Sequence, residues 1–105
     1  MGMNVKNYNI ALEAYNYMKK NDQDSIAWVD VANMYKMLGD YDKSYEILKN
    51  NIYNNENYWR LRAEIAEFLE EYNDSIYSYK SLAKICPQSF ELCMDNLRRL
   101  RLLVQ

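Results

Sequence analysis

Large apolar residues recur along most of the chain at helical spacing, with small or polar residues between them. In the stretches that begin at Tyr8, Tyr41 and Tyr72, a small residue follows three positions later and a large apolar residue four positions after that. Such positions lie on one face of an α-helix. The small residue lets a neighbouring helix approach closely. The pattern therefore predicts three amphipathic helices that pack against other helices.

A second set of helices, each led by an aromatic residue, alternates with the first. Trp28, Trp59 and Phe90 lead these segments, and 31 residues separate each leader from the next. An alanine follows each tryptophan at the fourth position. Self-similarity at such a period is typical of arrays of helical hairpins. The sequence therefore predicts an all-α fold of about six helices, at residues 5–20, 25–38, 41–53, 56–70, 73–86 and 88–103.

The stretch Leu38-Gly39-Asp40-Tyr41-Asp42 indicates how one helix ends and the next begins. Gly39, one of two glycines in the chain, can adopt the left-handed conformation that closes a helix. Asp40 and Asp42 are expected to cap the following helix at its positive end. The corresponding junction, Glu70-Glu71-Tyr72, has no glycine, so we expect a weaker helix stop there.

The alternating helices resemble the tetratricopeptide repeat family, whose signature is W-x2-L-G-x2-Y, then A-x3-F, then P. The matching residues are Trp28, Val31, Ala32, Tyr35, Ser44 and Leu48 in one repeat, and Trp59, Ala63, Ser75, Tyr79, Leu82 and Pro87 in the next. The second repeat departs at Arg62 and Ala66, where the family prefers larger apolar residues. The resemblance covers roughly residues 8–97. It implies antiparallel helical hairpins stacked as a short right-handed solenoid, with a curvature that the short 31-residue period leaves open.

This register predicts the domain organisation. Residues 1–4 are expected to be disordered or added during cloning. Residues 5–105 are expected to form one repeat domain, with a partial repeat (5–24), two full repeats (25–55 and 56–87) and a terminal capping helix (88–105). Whether the chain is a segment of a longer array is left open by the sequence.

Composition argues against catalysis and metal binding. The chain has no histidine, which removes the usual general base and the commonest metal ligand. Cys86 and Cys93 have no further cysteine or histidine with which to complete a zinc site, and we expect both to be buried thiols. Two glycines cannot supply a glycine-rich phosphate loop. We therefore predict a protein that is not an enzyme, with no catalytic residues, no metal site and no cofactor.

Charge and hydropathy argue against nucleic-acid and membrane partners. A net charge of −2, from 13 basic and 15 acidic residues, creates no field that would hold either. The arginines at 98, 99 and 101 are confined to one end, so RNA binding by a helical repeat is the weakest hypothesis. No apolar stretch is long enough to span a bilayer. The N-terminus lacks the apolar segment of a signal peptide, which indicates the cytoplasm.

The resemblance implies a protein or peptide as the partner, because in the family the first helix of each repeat lines a concave groove. Apolar patches flanked by mixed charges suit a peptide or a helix as the ligand. The positions that correspond to groove-facing ones in the family are Val29, Asn33, Lys36, Met37, Arg60, Leu61, Glu64, Phe68, Leu92 and Asp95.

The alternative is a structural segment that associates with a second copy, as a homodimer, or with neighbouring repeats. The last helix has an inward stripe expected at Phe90, Cys93, Met94 and Leu97. It also carries apolar residues in excess of that stripe. The excess residues expected to mediate self-association are Leu102, Leu103 and Val104. In the same way, the first helix carries Ile10, Ala14 and Tyr17 beside its tyrosine stripe.

Overall fold

The computed structural model describes residues 5–21 and 26–104 of the 105-residue chain. The helices in this part are α1 (Val5–Asn21), α2 (Ala27–Met37), α3 (Tyr41–Asn50), α4 (Glu56–Phe68), α5 (Tyr72–Ile85) and α6 (Phe90–Leu103), with a 3-10 turn at Pro87–Ser89. No strand occurs among the described residues, and the predicted all-helical fold is confirmed. The expectation for residues 1–4, and for a helix start at residue 25, lies outside the described residues.

The chain divides into two compact units, residues 1–53 and residues 54–105. In unit 1, α2 packs against both α1 and α3. In unit 2, α5 packs against both α4 and α6. We call α2, α4 and α6 the leading helices and α1, α3 and α5 the following helices. We call two residues counterparts when they stand 31 positions apart in the sequence, either in two leading helices or in α3 and α5.

A buried serine joins the two helices of each hairpin at the small position of the tyrosine stripe. The Ser44 hydroxyl donates to the carbonyl oxygen of Ala32 at 2.6 Å. Its counterpart, Ser75, donates to the carbonyl oxygen of Ala63 at 2.8 Å. Since both partners are small, the backbones can approach closely enough for a side chain to reach the neighbouring helix. The small positions therefore serve packing.

Gly39 ends α2 as the sequence predicted. Its φ angle of 85° is left-handed, and its amide donates to the carbonyl of Lys36 at 2.9 Å. The amide of Asp40 donates to the carbonyl of Tyr35 at 2.9 Å. These two bonds form a Schellman motif, which satisfies carbonyls that the helix end leaves unpaired.

Glu70 forms the same motif at the end of α4 without a glycine. Its φ angle is 62°, and its amide donates to the carbonyl of Glu67 at 3.0 Å. The amide of Glu71 donates to Ala66 at 2.8 Å. The second hairpin therefore has the full hydrogen-bonded turn, held by a residue with a Cβ atom in the left-handed region.

Side-chain caps fix the starts of two helices. The carboxylate of Asp40 accepts from the amide of Lys43 at 3.2 Å, as predicted for α3. The side chain of Asn55 accepts from the amide of Tyr58 at 2.8 Å and caps α4. Asp42 lies in the first turn of α3, where a negative charge favours the positive end of the helix.

Arg62, one of the departures from the family pattern, ties α4 to α5. Its guanidinium donates to both carboxylate oxygens of Asp74, at 3.0 and 2.8 Å. A third bond, of 2.9 Å, reaches the hydroxyl of the buried Tyr58. Burial alone would lower the pKa of Arg62, but the bonds to Asp74 and Tyr58 outweigh it and raise the pKa. A charged pair thus replaces an apolar contact inside the hairpin.

The aromatic leaders differ in burial. Trp28 and Trp59 are each 4% exposed, whereas Phe90 is 51% exposed. The expected inward stripe of α6 was therefore wrong at Phe90. Cys93, Leu97 and Leu100 are the buried residues of α6, because these positions share the helix face that packs against α5. Cys86 and Cys93 are both buried free thiols, as expected.

Candidate functional site

In unit 2 the two leading helices lie side by side and run in the same direction. Near their starts, the guanidinium of Arg60 donates to the hydroxyl of Ser89 at 3.3 Å. Near their ends, the guanidinium of Arg99 pairs with the carboxylate of Glu67. Since the first bond joins both helix starts and the second joins both later parts, α4 and α6 are parallel. We take the exposed residues of these two helices as the candidate site.

We call this surface the α4–α6 face. Its residues are Arg60, Glu64, Glu67, Phe68, Leu92, Asp95 and Arg99. Five of them were predicted for the groove: Arg60, Glu64, Phe68, Leu92 and Asp95. The sixth residue predicted in unit 2, Leu61, is buried, so it supports the face from within.

Two apolar side chains stand out from the α4–α6 face. Phe68 is 63% exposed and Leu92 is 50% exposed. Phe68 neighbours Glu67 in sequence, and Glu67 pairs with Arg99 seven residues beyond Leu92. At about 1.5 Å per helical residue, roughly 10 Å along the helix axis separates the two apolar groups. At intermediate positions along the two helices are the exposed residues Glu64 and Asp95.

Hydrogen bonds and ion pairs hold those charged side chains. Arg99 donates to Glu67 at 2.8 Å and to the side-chain oxygen of Asn96 at 2.6 Å. The bond to Glu67 raises the pKa of Arg99. Arg60 pairs with Glu56 at 2.6 Å, and this bond lowers the pKa of the Glu56 carboxyl. The face thus carries paired charges of both signs near the starts and near the ends of the two helices.

Tyr79 of α5 is buried close to the same carboxylates. Burial is the main cause that raises its pKa to about 12, and the negative charges of Glu67 and Glu64 add to it. The family signature has an aromatic residue at this position. The phenol group of Tyr79, in the core of unit 2, is therefore influenced by the negative charges of the α4–α6 face.

Unit 1 places its predicted groove residues on α2. Met37 is 79% exposed, Asn33 is exposed and Lys36 is partly exposed. The amide of Asn33 lies 3.7 Å from the sulfur of Met37. Val29 is buried, so it contributes to packing in the structure. Exposed polar and apolar groups therefore also adjoin on α2.

An apolar cleft between α1 and α2 was not anticipated from the sequence. It has a volume of about 290 Å³. Its lining residues are Asn7, Ile10, Met34, Met37 and Leu38. We call it the α1–α2 cleft. The signal that could have revealed it is Met34, an apolar residue outside the inward stripe of α2. A second cavity in unit 1, of about 440 Å³, lies beside Trp28 and is lined by Lys19 and Glu46 among others.

The residues predicted to mediate self-association are at the end of α6. Leu102, Leu103 and Val104 are all exposed. α6 is longer than the other leading helices in the repeat register. α4 ends at Phe68, whose counterpart is Arg99, whereas α6 continues to Leu103. The additional turn carries two exposed leucines.

A family model described as Tetratricopeptide repeat matches residues 17–91 of the chain. The chain belongs to the tetratricopeptide repeat family. The resemblance inferred from the aromatic leaders and small positions is thereby confirmed. Comparison with curated proteins gave no match. Membership indicates a protein–protein interaction module in general, in a family whose members are typically non-enzymatic scaffolds.

Within this tetratricopeptide repeat protein, the assignment of α2 and α4 to two full repeats and of α6 to a terminal capping helix stays a prediction. Among the described residues, no group of three or more His, Cys, Asp or Glu side chains could hold a metal ion. The described helices also include none with the length and apolar character needed to cross a membrane.

Proposed function

We propose that the chain is a non-enzymatic interaction module that binds a peptide or helix of a partner protein on the exposed surface of its leading helices. The observation that carries the proposal is the α4–α6 face, where the exposed apolar residues Phe68 and Leu92 lie on the same helices as the paired charges of Glu67 and Arg99. Exposed apolar groups rimmed by polar ones are typical of surfaces that bind other proteins. The concave groove implied by the family resemblance remains a prediction.

The spacing on the face defines the ligand. Along the helix axes, the spacing of roughly 10 Å matches side chains seven residues apart on a helix, or about three residues apart on an extended strand, that lies along α4 and α6. The charges between them can pair with polar groups of the ligand. A ligand with two apolar anchors and a polar segment between them would satisfy both features.

The exposed part of α2 offers a second surface of the same kind. Met37 supplies an apolar group, with the side chains of Asn33 and Lys36 beside it. Val29 and Leu61 were predicted as contacts but are buried. In this proposal they act by positioning the helices, and the ligand contacts their exposed neighbours.

A peptide-display selection tests the proposal without knowledge of the natural partner. Twelve-residue peptides selected on the wild-type chain would be measured for affinity against Phe68→Gln and Leu92→Gln. Each substitution removes apolar area that binding would bury, worth about 1–2 kcal/mol. The expected loss of affinity is about 5- to 30-fold for each variant.

Ile85→Gln is the matched control, because Ile85 is an exposed apolar residue that belongs to α5 and not to a leading helix. It is expected to leave peptide affinity unchanged. Circular dichroism should show equal helicity for all three variants. If selected peptides bind both face variants as tightly as wild type, the α4–α6 face is not the binding surface.

A further inference from the structure

Phe90 is exposed, whereas its counterpart Trp59 packs against the helix that follows it. In unit 2 the ring of Trp59 contacts Tyr77 of the following helix, with ring centres 5.5 Å apart. Phe90 is the counterpart of Trp59, yet it is 51% exposed where Trp59 is 4% exposed. The exposed side of α6 therefore has the register of a leading helix to which a following helix can be added.

α1 has the pattern of a following helix and an exposed side of its own. Its inward stripe contacts α2, since the ring of Tyr15 lies 5.6 Å from that of Trp28 and the ring of Tyr8 lies 5.9 Å from that of Tyr35. On a second stripe, Ile10 and Tyr17 are exposed. α1 therefore has room for a leading helix on this side.

We propose that α6 of one copy of the chain docks against α1 of a second copy, so that the two helices form a hairpin between molecules. The end of α6, with Leu102 and Leu103, inserts into the α1–α2 cleft of the second copy. The contact is head-to-tail: the two surfaces are different parts of the chain.

Two geometric relations among the helices of this chain lead to the same cleft. In the hairpins of this chain, the end of the leading helix lies at the start of the following helix, joined by a short turn. A docked α6 would therefore end near Asn7 and Ile10, at the start of α1. In unit 2 adjacent leading helices are parallel, so a docked α6 would also end beside the end of α2. Met34, Met37 and Leu38 lie there, in the same cleft.

The chemistry of the two surfaces agrees. The cleft is lined by four apolar side chains and one asparagine. α2 ends at Met37, and the corresponding position of α6 is Arg99. α6 continues for one further turn, which carries the exposed residues Leu102 and Leu103. Both surfaces are exposed in the single chain, and docking would remove both from water. The inference does not depend on peptide binding at the α4–α6 face.

Complementary variants test the proposal. The helix-end variant, L102E with L103E, removes the inserted turn. The cleft variant, I10E with M37E, removes the receiving surface. By sedimentation velocity from 10 to 500 µM, the wild-type chain is expected to associate, and each variant alone is expected to remain monomeric. An equimolar mixture is expected to form a one-to-one complex and nothing larger, because each variant retains the surface that the other lacks.

Ile52→Gln is the control, since Ile52 is an exposed apolar residue between α3 and α4, outside α1, α2 and α6, and this variant should associate like wild type. Circular dichroism checks folding, and the milder pairs L102Q/L103Q and I10Q/M37Q replace any variant that does not fold. A wild-type chain that is monomeric at 500 µM overturns the proposal. So does a cleft variant that still associates alone, which would indicate contact between two α6 helices. A mixture that stays monomeric overturns it as well.

Discussion

Glu70 occupies a backbone conformation that the first hairpin assigns to glycine. Gly39 and Glu70 close equivalent turns with equivalent backbone hydrogen bonds, at φ angles of 85° and 62°. A left-handed conformation costs a residue with a Cβ atom about 1 kcal/mol relative to glycine. The second turn therefore forms because the hairpin packing and the Schellman bonds outweigh this strain.

Exchanging these residues should change stability in opposite directions. Glu70→Gly is expected to raise the free energy of unfolding by about 1 kcal/mol, and Gly39→Ala is expected to lower it by about 1 kcal/mol. A Cβ atom at Gly39 would meet no other atom within 4 Å, so the cost there is conformational. Urea unfolding followed by circular dichroism measures both. Glu71→Gly, at a φ of −87°, is the control and should destabilise.

The raised pKa of Tyr79 predicts how the free energy of unfolding depends on pH in the alkaline range. Its folded pKa is about 12, against about 10 for an unfolded tyrosine. The folded state thus holds the proton more tightly. Its contribution is fully present below pH 10 and is lost as the pH rises from about 10 to about 12.

The test compares wild type with Tyr79→Phe at pH 9 and pH 11. Between these values Tyr79 alone should lower the free energy of unfolding of wild type by about 1 kcal/mol. Burial also raises the pKa of Tyr35 and Tyr58, so the variant should retain part of the decline. An equal decline in both proteins would show that Tyr79 ionises as readily in the folded state as in the unfolded one.

At the scale of helical elements, the two hairpins solve the same packing problem with different side chains. Arg62 and Asp74 form an ion pair within the α4–α5 hairpin. Their counterparts are Val31, which is buried, and Lys43, whose ammonium lies 3.9 Å from the ring centre of Tyr15 on α1. The first hairpin, which has Val31 in place of an arginine, shows that the hairpin fold does not require the ion pair. In the second hairpin, by contrast, we expect stability to depend on the presence of both Arg62 and Asp74.

A double-mutant cycle measures this dependence. Asp74→Ala is expected to cost about 2–3 kcal/mol, because it leaves the largely buried guanidinium of Arg62 without its carboxylate. In an Arg62→Val background, which copies Val31, the same change should cost less than about 0.5 kcal/mol. The unfolding free energies of the four proteins give the coupling energy. A coupling near zero would mean that solvent already screens the pair.

The helices themselves were predictable because hydrophobic period and turn residues determine them locally. The end of α2 and the start of α3 follow from Gly39 and Asp40, whose roles depend on backbone geometry. Phe90 was wrongly predicted to point inward. Its burial depends on whether a neighbouring helix covers it, and the hydrophobic period alone does not determine that. Val29 and Leu61 were assigned to the groove from the family resemblance. Whether an apolar residue at such a position is buried depends on the actual packing, which the resemblance does not determine.

The candidate site was harder to predict for a related reason. The Arg99–Glu67 and Arg62–Asp74 pairs join residues on different helices, and a chain with many charges offers numerous equivalent pairings. A signal did exist for the second pair. Arg62 departs from the family pattern, and its partner Asp74 stands where the first hairpin has Lys43. A charge of opposite sign on the following helix, beside an unexpected arginine, was the available clue.

At the scale of the whole molecule, each compact unit contains its own set of stabilising contacts. Unit 2 has a core that includes Trp59, Ile65 and Leu82. It also has its own cap at Asn55, a serine bond between helices, and ion pairs that join α4 to α5 and α4 to α6. In repeat proteins, stability is approximately a sum of intrinsic terms and nearest-neighbour terms.

We therefore expect residues 54–105 to fold as an isolated fragment. Helical repeats make mostly local contacts, so the three helices α4, α5 and α6 can form and pack without distant parts of the chain. A chain of this size buries a limited core, so the fragment should unfold at lower urea concentration than the full chain. It should still show a cooperative transition by circular dichroism. Trp59→Ala in the fragment, which removes a buried indole worth about 3–5 kcal/mol, should abolish that transition. A fragment without cooperative unfolding would mean that unit 2 gains its stability from the rest of the chain, so that the full chain unfolds as a single cooperative array.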